Sequence, residues 1–280
     1  SPLGRDRHNP LRYLRLMSAG KPYLLQSVDN GYGRTTTLQY TPSTAFYLAD
    51  RRALTPWATR LPFPVQCLST VTVQDSVTGL SVVSTYAYHH GFFDGVEREF
   101  RGFGKVEQWD AEAAPGVTTD QLPPVRTVSW FHTGAWEKDS KLFETYAAEY
   151  FDGDPDAFDR IPCTFGTSGA ALREAYRALK GRPLRVEVYA EDGGSNVPYV
   201  VTETAWNVVQ LQAPTETAYG VFRVDPVQTL TAHYERDATD PRVQQELPLD
   251  IDAFGVVTRA ATVLYPRRPG ATTWDVAQRR

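Results

Sequence analysis

The chain has 280 residues, of which 41% are hydrophobic, so it can fold into one large domain or two ordinary ones with a proper core. A formal net charge of -4 leaves no global positive field for phosphate backbones or acidic lipids, which argues against nucleic acid as a partner. No apolar run approaches the ~20 residues of a membrane-spanning helix. Residues 1–22 and 266–280 are nevertheless basic, and we expect both to be solvated tails.

Aromatic residues make up 12% of the chain, and 20 Gly and 20 Pro supply turn residues. This balance is typical of strands joined by tight turns and predicts a mainly β fold with antiparallel strand-turn-strand sheets. The start of the chain has neither an initiator Met nor the hydrophobic core of a signal peptide, so we expect a segment of a longer protein.

The first part of the chain predicts a hairpin followed by a meander. An Asn-Gly pair at Asn30 and Gly31 indicates a tight turn between two strands. Three further alternating runs predict a three-stranded meander with a turn between its second and third strands. The predicted strands are 23–28, 34–40, 68–74, 80–89 and 99–109, with turns at 29–33 and 90–95.

The loop at 111–121 is rich in small and acidic residues and is the best candidate boundary, dividing the chain into segments 1–110 and 111–280. One short helix is predicted near 169–180, because Leu172, Ala175, Tyr176 and Leu179 have helical spacing. Ser168 can cap its start, and Gly181 and Pro183 end it. The other predicted strands are 123–132, 184–190, 198–208, 229–235, 243–251 and 256–265, with a turn at 252–255.

Two groups of carboxylates were considered as sites. Asp152, Asp154 and Asp156 match the first three ligand positions of a calcium loop, but Ala157 replaces the Gly of its sharp turn and Cys163 replaces its final Glu. We interpret this stretch as an acidic surface turn. The second group, Asp94, Glu97 and Glu99, could supply the acid/base pair of a glycosidase, which needs carboxylates ~5 to 10 Å apart, but no pattern in the sequence fixes that distance.

Histidines, tryptophans and cysteines give no clear site either. His89 and His90 are adjacent, so in a strand they point to opposite faces, and a metal site would need His132 or His233 from elsewhere. Cys67 and Cys163 are far apart and are compatible with two thiols or one bridge. The tryptophans could form a sugar-binding platform, although aromatic residues on strands are usually core residues. The four considered are Trp57, Trp130, Trp136 and Trp206.

Glycine-rich motifs of cofactor sites are also missing from the sequence. The stretches at Gly31 to Gly33 and Gly102 to Gly104 lack the third glycine and the following helix of a dinucleotide site. There is no phosphate-binding loop and no nucleophile elbow. The sequence therefore predicts no cofactor.

Residues 86–110 read YAYHHGFFDGVEREFRGFGKVEQWD. This long stretch closely resembles the signature of the middle region of B components of insecticidal toxin complexes, which are TcdB- and TcaC-like proteins related to SpvB. Shorter stretches that resemble the same family follow its order along the chain. They are 27–36, 61–65, 130–134, 177–181 and 233–236.

The resemblance implies a role in a larger assembly. In that family the B component carries a β-propeller that docks on the A component, and RHS-type strands that form a hollow β-shell with the C component. The shell encloses a cytotoxic fragment until it passes through the A-component channel. A segment preceding the RHS repeats would share the RHS-shell type of sheet, and its partners would be the C component, the A-component channel and the enclosed cargo.

The same resemblance implies a non-catalytic segment without catalytic, cofactor-binding or metal residues. It also implies that the protein is made in the bacterial cytoplasm and acts outside the cell as part of a toxin complex. Two other functions stay open. One is a carbohydrate- or cell-surface-binding β-module, suggested by the tryptophans and tyrosines. The other is an enzyme that uses Asp94, Glu97 or Glu99.

Overall fold

The computed structural model of the protein describes residues 21–113, 123–136, 141–169 and 171–268. Within these ranges it contains twelve strands and three helices, and none of the helices is long and apolar enough to cross a membrane. The elements in chain order are β1 (Ser27–Asp29), β2 (Arg34–Pro42), α1 (Ser43–Arg52), β3 (Gln66–Asp75), β4 (Ser81–Asp94), β5 (Glu99–Ala113), β6 (Val125–Phe131), α2 (Lys141–Ala147), β7 (Thr164–Phe165), α3 (Ala171–Ala178), β8 (Pro183–Ala190), β9 (Val200–Gln212), β10 (Val221–His233), β11 (Arg242–Ile251) and β12 (Val257–Leu264).

All twelve described strands belong to one sheet. Strands β1 to β6 and β8 to β12 follow one another across the sheet in sequence order, and each pairs antiparallel with the next. The short strand β7 lies off this path and pairs parallel with β9. The mainly β, antiparallel fold predicted from composition and alternation is therefore confirmed.

Several predicted elements have the expected places. The first hairpin turns at Asn30 to Gly33, where both glycines have positive φ angles and the Asn30 side chain accepts hydrogen bonds from Tyr32 and Arg34. The predicted meander corresponds to β3, β4 and β5. The helix predicted near 169–180 is α3, and Gly181 follows it with a φ of 79°, as a left-handed C-terminal residue should.

The turn predicted at 90–95 is wrong in its position. Strand β4 continues to Asp94, and the chain reverses only between Gly95 and Arg98. A register shift between Gly91 and Phe93 lets the strand keep its pairing with β5, and His90 adopts a φ of 55° there. The Gly and the positive φ therefore mark a β-bulge inside a long strand, not a turn.

The prediction of a single helix is wrong in number, since α1 and α2 were missed. Helix α1 starts after Pro42 without a side-chain cap, and only Ser43 of its ten residues is buried, so it lacks both a start signal and an apolar stripe. Helix α2 has seven residues, too few for a clear period. The first half of β10 was also missed, because the register shift between Pro226 and Gln228 interrupts its alternation.

Residues that pair across the central strands form rows that run across the sheet, and two such rows lie on opposite faces. We call one the covered row: three of its six residues, Val128, Glu187 and Val201, are at most 5% exposed. The covered row is Glu107, Val128, Glu187, Val201, Ala232 and Val243. We call the row on the opposite face the open row, and none of its six residues is buried or charged. The open row is Val106, Ser129, Val186, Thr202, Thr231 and Gln244.

The covered face carries α2 and the segment that follows it. Tyr146 and Tyr150 pack there with Trp130 and Tyr189 in one buried cluster. The buried Glu187 accepts hydrogen bonds from Phe151 N–H and from the Tyr189 hydroxyl, and pairs with Arg185 at 2.6 Å. The sheet is thus a layer with one clad face and one accessible face.

Candidate functional site

The signature stretch folds into β4 and β5. Its His-His-Gly unit, residues 89–91, forms hydrogen bonds that hold other segments of the chain against the sheet. Strand β3 pairs with β4 only from Ser81 to Thr85, so the later part of β4 has a free edge. The loop after α1 covers this edge: Ala58 N–H donates to His90 Nδ1 at 3.0 Å, and Phe93 N–H donates to Arg60 O. The unit therefore closes an open sheet edge.

His90 is held between two partners that fix its tautomer. Its Nδ1 accepts the Ala58 N–H, so the proton must be on Nε2, which lies 2.9 Å from Glu149 Oε1. The ring is 2% exposed and stacks at a tilt on Tyr146 of α2. Both ring nitrogens are therefore engaged, and His90 joins the edge loop to the α2 region.

His89 points to a different set of partners. Its Nδ1 lies 2.6 Å from Asp50 Oδ2 of α1, the oxygen that also accepts the Trp57 indole N–H, and its Nε2 lies 3.5 Å from Glu107. His89 and His90 do not converge, as expected for neighbours in a strand. Among the residues that the structure describes, no group of three or more His, Cys, Asp or Glu side chains could hold a metal ion.

Glu149, the partner of His90, also contacts Lys105, which in turn pairs with Glu107. Lys105 Nζ lies 3.2 Å from its Oε2 and 3.0 Å from Glu107 Oε1. Burial opposes the ionisation of Glu149, but the His90 hydrogen bond and the Lys105 charge lower its pKa to about 2. Glu149 is therefore ionised at neutral pH and is unsuited to donate a proton.

The three carboxylates of the β4–β5 hairpin are each held by cations or hydroxyls from other elements. Asp94 lies 2.8 Å from Arg101, whose side chain is 1% exposed, and accepts two hydrogen bonds from Arg173 of α3. Glu99 accepts a hydrogen bond from Lys180 at 2.8 Å. Glu97 accepts one from the Tyr219 hydroxyl at 2.6 Å. The hairpin is thereby tied to α3 and to the turn before β10.

The pKa shifts of Asp94 and Glu99 argue against either residue as a general acid. Burial alone would raise the pKa of Asp94, but the backbone N–H groups of Glu97 and Val96 outweigh it and hold that pKa below its usual value. The Lys180 ammonium lowers the pKa of Glu99. A glycosidase needs one carboxyl group with a raised pKa as general acid, and neither residue has one.

The acidic turn after α2, residues 152–156, is held in place by the contacts of its middle aspartate. Asp154 is buried and accepts hydrogen bonds from the Tyr234 hydroxyl and from Arg268, both at 2.8 Å, while Asp152 and Asp156 are exposed. Desolvation opposes its ionisation, but the Arg268 contact lowers the pKa of Asp154. Asp154 therefore joins this turn to the residue after β10 and to the C-terminal end of the described chain.

Three of the four tryptophans considered for a sugar platform are packing residues. Trp130 and Trp206 are 1% and 9% exposed, and the Trp206 indole N–H donates to Pro183 O. Trp57 packs edge-on against Tyr47 and Phe103. Trp136 is 44% exposed and stands alone among these four, so they do not form a common aromatic surface.

Both cysteines are free thiols, which resolves the choice left open by the sequence. Cys67 is buried, and burial raises its pKa to about 11. Cys163 Sγ lies 3.6 Å from His132 Nε2. Burial lowers the pKa of His132 to about 4 and raises that of Cys163, so this pair is a neutral imidazole beside a thiol, not an activated nucleophile.

Comparisons with known proteins agree with the signature. The family description "Insecticide toxin TcdB middle/N-terminal region" matches residues 13–134, and "Insecticide toxin TcdB middle/C-terminal region" matches residues 174–278. The chain belongs to the TcdB middle-region family. The similarity predicted from residues 86–110 is therefore confirmed, and both matches leave only the ends and the stretch around α2 outside them.

Solved structures of Tc toxin assemblies contain the same fold over nearly all of the chain. A crystal structure of TcdB2-TccC3-Cdc42 is 35% identical with a TM-score of 0.78, covering 91% of this chain and 13% of that one. A structure of the Photorhabdus luminescens Tc holotoxin pore is 34% identical with a TM-score of 0.78, covering 92% and 12%. The search of curated proteins found no match. This chain thus spans about an eighth of the length of each of those two chains.

Several residues that hold this TcdB segment together were missed by sequence reasoning. Arg101 pairs with Asp94, Glu149 contacts His90 and Lys105, and Gly104 gives room to Tyr146, whose hydroxyl would lie 1.7 Å from a Cβ at that position. For Arg101 and Gly104 the available signal was their place in the signature stretch, whereas Glu149 lies outside it. The expected solvation of the C-terminal tail is wrong for Arg268, which contacts the buried Asp154. It is also wrong for Arg267, which pairs with Asp240; residues 1–20 and 269–280 lie outside the described ranges.

Proposed function

We propose that this segment is a non-catalytic part of the wall of a toxin-complex B component, in the β-shell that encloses a cytotoxic cargo and helps to deliver it. The observation that carries the proposal is the two-sided sheet. One face is clad by α2 and the segment after it, whereas the open row, which crosses six strands from Val106 to Gln244, has no buried and no charged residue.

The chemistry of the open row suits a face turned towards an enclosed polypeptide. Val186, Thr202 and Thr231 are small or β-branched residues that favour strands and present short side chains. Without charges, this row would neither form ion pairs with an unfolded cargo nor hold it by strong hydrogen bonds. We therefore propose that the open row faces the lumen and that the face covered by α2 lies on the outside.

The charged residues support a structural role for the same segment. The signature carboxylates join the hairpin to α3, and Glu149 joins β4 and β5 to the region of α2. These pairs use the groups that would otherwise be candidates for catalysis.

The partners follow from the relatives. The matched structures include TcdB2 with TccC3, and a Tc holotoxin pore. We infer that the parent of this chain likewise assembles with a C component, encloses a cargo between them and docks on an A-component channel. The complex would act outside the bacterium after synthesis in the cytoplasm.

Thiol accessibility in the assembled complex tests the proposal. Thr202→Cys places a thiol in the open row, and Ala148→Cys places one on the clad side, at an exposed position just after α2. Both are introduced into the full B component, which is assembled with its C component and treated with a large polyethylene-glycol maleimide. Unsubstituted protein gives the background from Cys67 and Cys163.

If the open row faces the lumen, Ala148→Cys is labelled in the intact complex and Thr202→Cys only after the complex is denatured. Equal labelling of both thiols in the intact complex would show that this face is not enclosed. Labelling of Thr202→Cys alone would show that the sheet has the reverse orientation, with its clad face inside. Either result contradicts the proposal.

A further inference from the structure

A half-open cavity of about 380 Å³ lies where α2, α3 and the start of β8 meet. Its walls are mainly apolar side chains from different parts of the fold. They include Phe143, Ala147, Phe165, Tyr176, Leu179 and Leu184. The cavity opens to solvent on one side, as the clefts that bind small molecules do. Its volume falls within the range of small-molecule sites, roughly 300 to 1,000 Å³.

The floor of the cavity is neutral. His132 and Cys163 line it, 3.6 Å apart, and the imidazole is 4% exposed. Burial lowers the pKa of His132 to about 4, so the ring is uncharged at neutral pH, and burial keeps Cys163 a thiol by raising its pKa. A charged group would lose its hydration there without a counter-ion, which means that the inner part suits an apolar body.

The lining also contains two exposed charged residues, Arg160 and Glu144. Within the part of the chain that the structure describes, neither forms an ion pair, although the Arg160 guanidinium lies 5.0 Å above the Tyr150 ring. Arginine binds carboxylates with paired N–H donors, and here those donors are still available. Glu144 would repel an anion, so the anion must sit on the Arg160 side.

We propose that this cavity binds a small molecule with an apolar body and one carboxylate, with the body against Phe143, Leu179 and Leu184 and the carboxylate on Arg160. This would be a ligand site within the segment itself. The proposal does not depend on the proposed function, because a ligand here would contact α2 and α3, on residues outside the open row.

Alkylation of Cys163 gives a readout at the site. The probe is decanoate, compared with decanol, and the 280-residue chain is treated with iodoacetamide at mildly alkaline pH before the modified peptides are quantified. Cys67, which is buried elsewhere, is the internal reference. We expect decanoate to slow the alkylation of Cys163 in a saturable manner while the alkylation of Cys67 is unchanged.

Four variants locate the ligand. Ala147→Trp fills the cavity and should abolish protection, whereas Ala148→Trp, at the adjacent exposed position, should leave it intact. Arg160→Gln should weaken the protection by decanoate by about fivefold, the scale of an exposed ion pair, and should not change that by decanol. Glu144→Gln should strengthen decanoate binding.

The proposal is overturned if decanoate does not protect Cys163, or if Ala147→Trp and Ala148→Trp behave alike in folded protein. It is also overturned if decanol protects as well as decanoate and Arg160→Gln has no effect. Should Ala147→Trp fail to fold, the two exposed variants, Arg160→Gln and Glu144→Gln, still decide the question, because opposite shifts in decanoate affinity are required.

Discussion

At the scale of single residues, the charged residues of the signature stretch are better explained by structural contacts than by catalysis. Asp94 illustrates this, since it lies on a buried arginine and on α3 at the same time. The sequence could place Asp94, Glu97 and Glu99 beside one another at a hairpin, because adjacency and turn residues are local properties. It could not show their partners Arg173, Lys180 and Tyr219, which come from 79, 81 and 122 positions further along the chain.

The substitution Asp94→Asn should destabilise the chain by about 3 kcal/mol, because it removes the charge beside the buried Arg101 while keeping the side-chain shape. Glu99→Gln is the matched control: Glu99 is 31% exposed, and its loss should cost less than about 1 kcal/mol. Urea denaturation measures both.

In the parent toxin, Glu97→Gln and Glu99→Gln should leave the toxic activity intact, and a loss of activity without unfolding would favour the enzymatic hypothesis.

His132 should make stability depend on pH in a defined window. Its pKa is lowered by burial from 6.5 to about 4, so the unfolded chain binds a proton that the folded chain does not bind between these values. The free energy of unfolding should therefore decrease, by about 3 kcal/mol, as the pH falls through this window. The contribution of Glu149, whose pKa is lowered from 4.5 to about 2, is lost mainly at lower pH.

The variant His132→Phe tests this assignment, since it keeps an aromatic ring beside Phe143 and cannot be protonated. Denaturation curves across the window should show a smaller pH dependence for the variant than for the parent chain. Parallel curves would mean that His132 does not control the stability there. His233→Phe is the control, because that residue is only partly buried at the end of β10.

At the scale of elements, the strands were more predictable than the helices. Alternation locates β3, β8 and β11, because one side of each strand differs from the other. Helix α1 has neither a cap nor a broad apolar face, and it is held instead by Asp50, which binds His89 and Trp57. Such long-range contacts leave no periodic signal in the sequence.

The docking of α2 depends on a glycine. A Cβ at Gly104 would lie 1.7 Å from the Tyr146 hydroxyl and 3.2 Å from His90 Cβ. Gly104→Ala should therefore displace Tyr146 and destabilise the chain by about 2 kcal/mol, as overpacking does. Gly95→Ala is the control, since nothing lies within 4 Å of its added Cβ.

A double variant distinguishes this clash from a backbone effect. Tyr146→Leu shortens the side chain, so adding Gly104→Ala to it should cost much less than adding Gly104→Ala to the parent. Thermal unfolding of the four proteins gives the coupling. Equal costs in both backgrounds would show that the ring does not set the requirement for glycine.

At the scale of the whole molecule, the division into segments 1–110 and 111–280 is still a prediction. The loop chosen for it, 111–121, lies mostly outside the described residues. Strands β5 and β6 on either side of that loop share six register pairs, from Lys105 and Trp130 to Asp110 and Val125. The family descriptions likewise change after residue 134, beyond this contact.

A protease site placed within residues 114–122 should therefore separate the chain covalently without separating the two pieces. The β5–β6 ladder and the Lys105 ammonium over the Trp130 ring, at 5.5 Å, would keep them together, because an exposed β5 edge is costly to leave unpaired. After cleavage the pieces should co-elute on size exclusion in buffer and elute separately in urea. If they separate in buffer and each keeps its circular dichroism, the two segments are independent domains, and the sheet does not depend on the contact between β5 and β6.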